Sequence, residues 1–187
     1  THLIGRYNKI LIFDLKRDSI NFNISNREIE KTLTCNAEQL DSTNQYFISE
    51  TDSKTSFKNG STQSRDEAHS GIFSSRLSQH SPYGMTYKFD TVRYGESFEV
   101  TVWCKNTGYS NGFIIVSAEE AGKFFLYDNS MIENGPNGWI KISLKCFIPE
   151  YLSNKALMIY LLNSKDDPAY FDDLQITRYK SILDKIE

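Results

Sequence analysis

Ala169-Tyr170-Phe171-Asp172-Asp173-Leu174-Gln175-Ile176 reads as a β-strand, because aromatic, aliphatic and β-branched residues flank its centre on both sides. The centre itself is two adjacent carboxylates. Successive side chains of a regular strand point to opposite faces, so Asp172 and Asp173 are expected on different sides, at least one of them toward a packed layer. A carboxylate in that position is costly unless it is paired, hydrogen-bonded or bound to a metal. The stretch therefore predicts a β-rich domain whose closing strand carries a polar fastening.

The upstream stretches follow the same rule. Residues 98–104 alternate most clearly, with Phe98, Val100, Val102 and Cys104 on one face and Glu99, Thr101 and Trp103 on the other. Residues 139–147 alternate again, with Ile140, Ile142, Leu144 and Cys146 inward, and Pro149 closes the run. Residues 46–48, 72–77, 85–89, 113–117, 123–127 and 157–162 supply further strands. Turn residues separate them, among them Ser81-Pro82-Tyr83-Gly84, Asn134-Gly135-Pro136-Asn137-Gly138 and Asp166-Asp167-Pro168. About nine short strands with turn signals about every ten residues, and no helical run between them, predict an all-β antiparallel β-sandwich.

This places the sandwich at residues 35–180, with residues 1–34 as an irregular N-terminal arm or linker and 181–187 as a C-terminal tail ending in a short helix. Within the arm, residues 9–13 suit a strand. Ser25 followed by Glu28 has the form of a capping box at a helix start. No repeat and no low-complexity tract interrupts the chain.

Composition narrows the function classes. Aromatics make up 13% of the 187 residues, with 11 Tyr and 12 Phe, enough to furnish a binding face as well as a core. The net charge is −3 and the basic residues are scattered, which argues against nucleic acid and anionic membranes as partners. No apolar run approaches the roughly 20 residues of a membrane-spanning helix. The sequence does not begin with Met, so the missing signal peptide says nothing about destination. Cys35, Cys104 and Cys146 lack zinc-ligand spacing. Buried free thiols are one reading of them, and one disulfide with one free thiol is the other.

The order of motifs resembles the jelly-roll carbohydrate-binding modules and the wider galactose-binding-like superfamily. It runs from Ala68-His69-Ser70-Gly71 before a Ser-rich strand, through Gly95 with residues 98–103, then Gly138-Trp139 before a strand closed by Pro149, then Tyr160, to Tyr170-Phe171-Asp172-Asp173-Leu174. The resemblance covers residues 35–179 and implies a jelly-roll sandwich. It also implies a structural calcium that staples the first strand to the last, held by Asp173, by the loop containing Ser70, and by an early acid. That acid is Glu38 or Glu50, although Asn36-Ala37 stands where the family has an aromatic residue. Separated oxygen ligands suit a hard cation. Asp172 is read instead as held by backbone amides.

For a sugar, Trp103 is the expected stacking platform on the concave sheet, since sugar rings present apolar C–H faces while their hydroxyls seek polar partners. Glu99, Thr101, Tyr87, Tyr127, Tyr160 and Lys141 are the expected contributors around it. Trp139 is read as structural. Tyr109 and Asn111 belong to a loop suited to binding. His2, His69 and His80 share no ligand spacing, and neither Glu119-Glu120 nor Asp166-Asp167 is set up as a glycosidase pair. The expected function is thus a non-catalytic carbohydrate-binding-like module, with glycan as partner. It would be attached to further domains of an extracytoplasmic or membrane-anchored protein. The alternative is a structural or protein-interaction sandwich without sugar binding.

Overall fold

The computed structural model describes residues 27–106, 111–120 and 122–185, and the backbone of two further strands near the N-terminus. In chain order the strands are β1 (His2–Tyr7), β2 (Ile10–Asp14), β3 (Ile29–Cys35), β4 (Gln39–Leu40), β5 (Tyr46–Ile48), β6 (Ser56–Lys58), β7 (Gln63–Ser64), β8 (Ser74–Leu77), β9 (Tyr83–Val92), β10 (Ser97–Asn106), β11 (Gly112–Ala118), β12 (Phe125–Asp128), β13 (Met131–Asn134), β14 (Ile140–Phe147), β15 (Lys155–Asn163) and β16 (Ala169–Tyr179). Strands β1 and β2 form a separate antiparallel hairpin.

The rest is a sandwich of two seven-stranded antiparallel sheets. Sheet I runs β13-β14-β10-β16-β8-β7, with β3 pairing the second half of β16. Sheet II runs β12-β11-β15-β9-β6-β5-β4. No α-helix occurs among the described residues; the tail ends in a 3₁₀ turn, Ile182–Lys185.

The alternation expected from sequence is what fills the core. Val100, Val102, Cys104, Ile142, Cys146, Phe171 and Ile176 of sheet I meet Phe57, Met85, Ile114, Val116, Ile159 and Leu161 of sheet II, all excluded from solvent. The three cysteines are buried free thiols, so the disulfide alternative is not realised. Burial pushes each thiol up to about 12.

Two sequence expectations change near the N-terminus. Residues 29–34, assigned to the arm, are part of the sandwich: Leu33 stands opposite Ile176 and Ile29 opposite Tyr179. The capping-box pattern therefore leads into a strand. Thr32, Leu33, Thr34 and Cys35 alternate and are paid back by pairing and burial, which overrides a local cap signal. Ser25 itself lies outside the described residues.

A buried ion cluster closes this end. Glu96, fully excluded from solvent, accepts two hydrogen bonds from Arg178 Nη2 at 2.7 Å each and one from Arg178 Nε at 3.1 Å. The Arg93 backbone N–H at 3.0 Å and Arg93 Nε at 2.8 Å complete its shell. Arg178 also pairs with Glu30 of β3 at 3.1 Å and lies over the Phe89 and Phe98 rings. One guanidinium thus ties β3, β16 and the turn before β10. The backbone joins the two flanks again where Lys180 N–H donates to Glu28 O at 2.9 Å.

Removing one partner of such a cluster strands a buried charge. Glu96→Ala should lower the unfolding free energy by about 3–5 kcal/mol, read as a fall in the urea midpoint. The thiols give a second check. In native protein at pH 8 none should react with a disulfide reagent within minutes, and all three should react after denaturation, since reactivity follows the thiolate fraction and access.

Candidate functional site

The aromatic centre of the outer face of sheet I is covered. Trp103 points outward on β10, as its alternation requires, yet it is only 9% exposed. It forms a small second cluster with Trp139 and Tyr170. Lys141 Nζ stands 5.5 Å from its ring centroid. A Cβ on Gly135 would come within 2.6 Å of the ring, so glycine is what lets that turn lie against the indole. The open face of Trp103 is taken by His69, whose imidazole stacks on it at 4.0 Å and 15°.

The loop carrying His69 is fastened by the two carboxylates of β16. Pairing between β10 and β16 shifts register between Thr101 and Trp103, because β16 carries one extra residue there. Asp173 takes a left-handed φ of 51°, which Asp tolerates better than most residues. This bulge cancels the strand alternation, and both carboxylates reach the same loop. Asp172, fully buried, accepts the backbone N–H groups of His69 at 2.9 Å, Ser70 at 3.0 Å and Asp173 at 2.8 Å. Burial pushes its carboxyl up to about 7, against the pull of those donors. Asp173 accepts His69 Nδ1–H and the Ser70 hydroxyl, each at 2.7 Å. Glu38 holds the far end of the loop, accepting Ile72 and Phe73 N–H through Oε1, both at 2.8 Å. Gly71, at φ 60°, packs so closely on Glu38 that a Cβ would overlap its carboxylate.

The residues expected to hold calcium, Asp173, Ser70 and Glu38, thus all touch one loop, but they do not fit an ion as arranged. Their oxygens face N–H and O–H donors, and no group of three His, Cys, Asp or Glu side chains among the described residues is placed to hold a metal. Glu50 makes no contact with this loop in the bonds just described.

The expected sugar-binding residues separate into three places. Trp103, Glu99, Thr101 and Lys141 are on the outer face of sheet I. There Trp103 is covered, which corrects its reading as an open platform, and Glu99 is engaged by Tyr179 Oη and Lys145 at 3.0 Å each. Tyr87 turns inward opposite Ile159 and packs half-buried against the core on Phe57 and Phe89, so it is not a contact on that face. Asn111 is buried and donates to Asn163 Oδ1 at 2.9 Å, a structural role; Tyr109 lies outside the described residues.

Tyr127 and Tyr160 belong to a different surface, the outer face of sheet II. Register builds three cross-strand rows there. Thr86, Tyr160, Ile115 and Tyr127 form one, Lys88, Met158, Ser117 and Phe125 a second, and Tyr83, Leu162 and Phe113 a third. Tyr83, Phe125 and Tyr127 are 55–56% exposed, while Ile115 forms the floor at 1%. Ring pairs link them: Tyr83 with Tyr160 and Phe113 with Tyr127 both at 5.9 Å, and Phe125 with Tyr127 at 6.1 Å. A hollow of about 230 Å³ lies among Phe113, Ile115, Phe125, Tyr127, Leu162 and Ser164. A more polar one of about 350 Å³ lies at Glu119, Glu120, Lys123, Lys155 and Ala156, beside the Lys88–Glu119 ion pair at 2.8 Å. Burial raises the Tyr160 phenol above its ordinary value. Phe113, Phe125 and Tyr83 were not legible as site residues, although the i, i+2 aromatics of residues 125–127 mark an aromatic face.

Comparison with known proteins places the fold. The CBM22-1 xylan-binding domain from Paenibacillus barcinonensis Xyn10C aligns at a TM-score of 0.51 and 14% identity, over 82% of this chain and 98% of that one. A further xylan-binding domain of family 22 aligns at 0.49 and 13%, over 82% and 96%. A Stig cyclase, Fisc, from Fischerella sp. TAU aligns at 0.45 and 13%, over 83% and 89%. No protein-family model and no curated protein matches the sequence. The chain has the jelly-roll sandwich fold of the carbohydrate-binding modules, as its motifs led one to expect.

The closed face gives a direct optical test. Trp103 and Trp139 should emit at short wavelength and resist acrylamide quenching. Asp172→Ala, which strands three backbone N–H groups at about 1–3 kcal/mol each, should shift emission to the red and expose the loop to protease.

Proposed function

We propose that this sandwich is a non-catalytic carbohydrate-binding module within a larger extracytoplasmic protein, and that glycan lies across the outer face of sheet II. The observation that carries this reading is a patch of five rings spread over four adjacent strands, Tyr83, Phe125 and Tyr127 exposed and Tyr160 and Phe113 half-buried between them. Three inter-strand steps give a platform about 15 Å wide. Rings set on a rigid sheet offer flat apolar area at little entropic cost, which suits the C–H faces of sugars. Ser164 and the Lys88–Glu119 pair supply polar partners at its margins. No helix among the described residues is long and apolar enough to cross a membrane.

A second reading, a protein-interaction domain, has its own observation. The edge strand of each sheet, β12 and β13, exposes large apolar residues on one flank, with Leu126 at 37%, Met131 at 51% and Ile132 at 58% exposed. Bare apolar edges are otherwise avoided.

Calorimetric titration with soluble xylan, β-glucans and mannans separates the two. Under the first reading at least one polysaccharide binds. Tyr127→Ala and Tyr160→Ala each weaken it about tenfold, about 1.4 kcal/mol, with the fold intact by circular dichroism, whereas Trp103→Phe leaves it unchanged. Absence of binding across the panel defeats the glycan reading. Binding that survives both tyrosine changes moves the site off sheet II.

A further inference from the structure

The loop of residues 67–73 stands where the family resemblance calls for calcium, and its chemistry is that of a different fastening. Of the six carboxylate oxygens of Glu38, Asp172 and Asp173, five accept hydrogen bonds from this chain. A calcium ion needs six to eight oxygen ligands with lone pairs aimed at it. Here the lone pairs are aimed at hydrogens. One of the donors is a ring nitrogen: opposite an acceptor-only carboxylate, His69 Nδ1 must carry the proton. The imidazole is also set edge-on to Trp139 at 5.7 Å while it stacks on Trp103. Its ring is therefore fixed on two sides by indoles and on a third by Asp173, and its side chain is only 18% exposed.

We propose that His69 and Ser70 fasten the closing strand to this loop without a metal, His69 acting at once as hydrogen-bond donor to Asp173 and as the lid on Trp103. The fastening then works in any calcium concentration. Trp103, the aromatic centre of the outer face of sheet I, is sealed by the chain's own imidazole, whereas the rings of sheet II carry no such cover in the contacts described. The inference does not depend on glycan binding, because it concerns the opposite sheet.

The test uses the full chain, melted with excess EDTA and with millimolar calcium chloride, alongside elemental analysis of protein purified without chelator. The expected result is the same Tm in both buffers and no stoichiometric calcium. His69→Ala should lower Tm by several degrees and shift tryptophan emission to the red. His69→Phe, which keeps a ring on Trp103 but loses the bond to Asp173, should recover the emission and only part of the Tm. Ser70→Ala should give a smaller fall. A Tm lowered by EDTA and restored by calcium, or one calcium per chain, overturns the proposal whatever the variants do. Unchanged Tm and emission in His69→Ala overturn the role given to His69.

Discussion

The arrangement of this sandwich depends on one irregular residue. A regular β16 would send Asp172 and Asp173 to opposite faces, leaving one carboxylate against the core with nothing to bond. The left-handed conformation of Asp173 inserts a bulge, and both side chains emerge on the same side. That single backbone choice changes a liability into a fastening. Asp172 takes three backbone N–H groups and Asp173 takes an imidazole and a hydroxyl, so the loop between β7 and β8 is drawn down over the sheet. Trp103 is buried as a result, without any change in its own strand.

The fold was largely legible because period-two alternation is a local signal that survives into the core. Residues 98–104 and 140–146 face as their pattern says. What escaped was set by contacts distant in sequence. Nothing local to Trp103 announces His69, which lies over thirty residues away and reaches it only because β16 bulges. Tyr87 shares the phase of Met85 and Phe89, so the alternation of residues 85–89 already turned it toward the side of Ile159. The aromatic face of sheet II was hidden for another reason. Phe113-Ile114-Ile115-Val116 is continuously apolar, so one side packs the core and the other carries rings, and the composition of the run does not say which is which. Nothing local to Glu96 announces that it is buried, because Arg178 reaches it from the far end of the chain.

The two outer faces therefore divide the work. On sheet I, aromatic residues meet one another, a histidine and a lysine, and the surface is finished by the protein itself. On sheet II, rings of the same kind stand over a buried isoleucine floor with no loop drawn across them in the contacts described. A jelly roll offers both faces to evolution, and the fold alone does not select between them. The selection here is made by which loop has a carboxylate to hold it down.

The pairing of β3 with β16 has a mechanical consequence. The chain enters the sandwich beside Ile29 and leaves it after Tyr179, and these two residues face each other at the same end of one antiparallel ladder. Tension applied through both flanks would not load that ladder in shear, with all its hydrogen bonds sharing the force. It would peel the strands apart like a zipper, one pair at a time. Behind the Lys180–Glu28 contact, the Arg178 cluster with Glu30 and Glu96 sits at the first teeth of that zipper, and so would be among the first parts of the domain to bear the load.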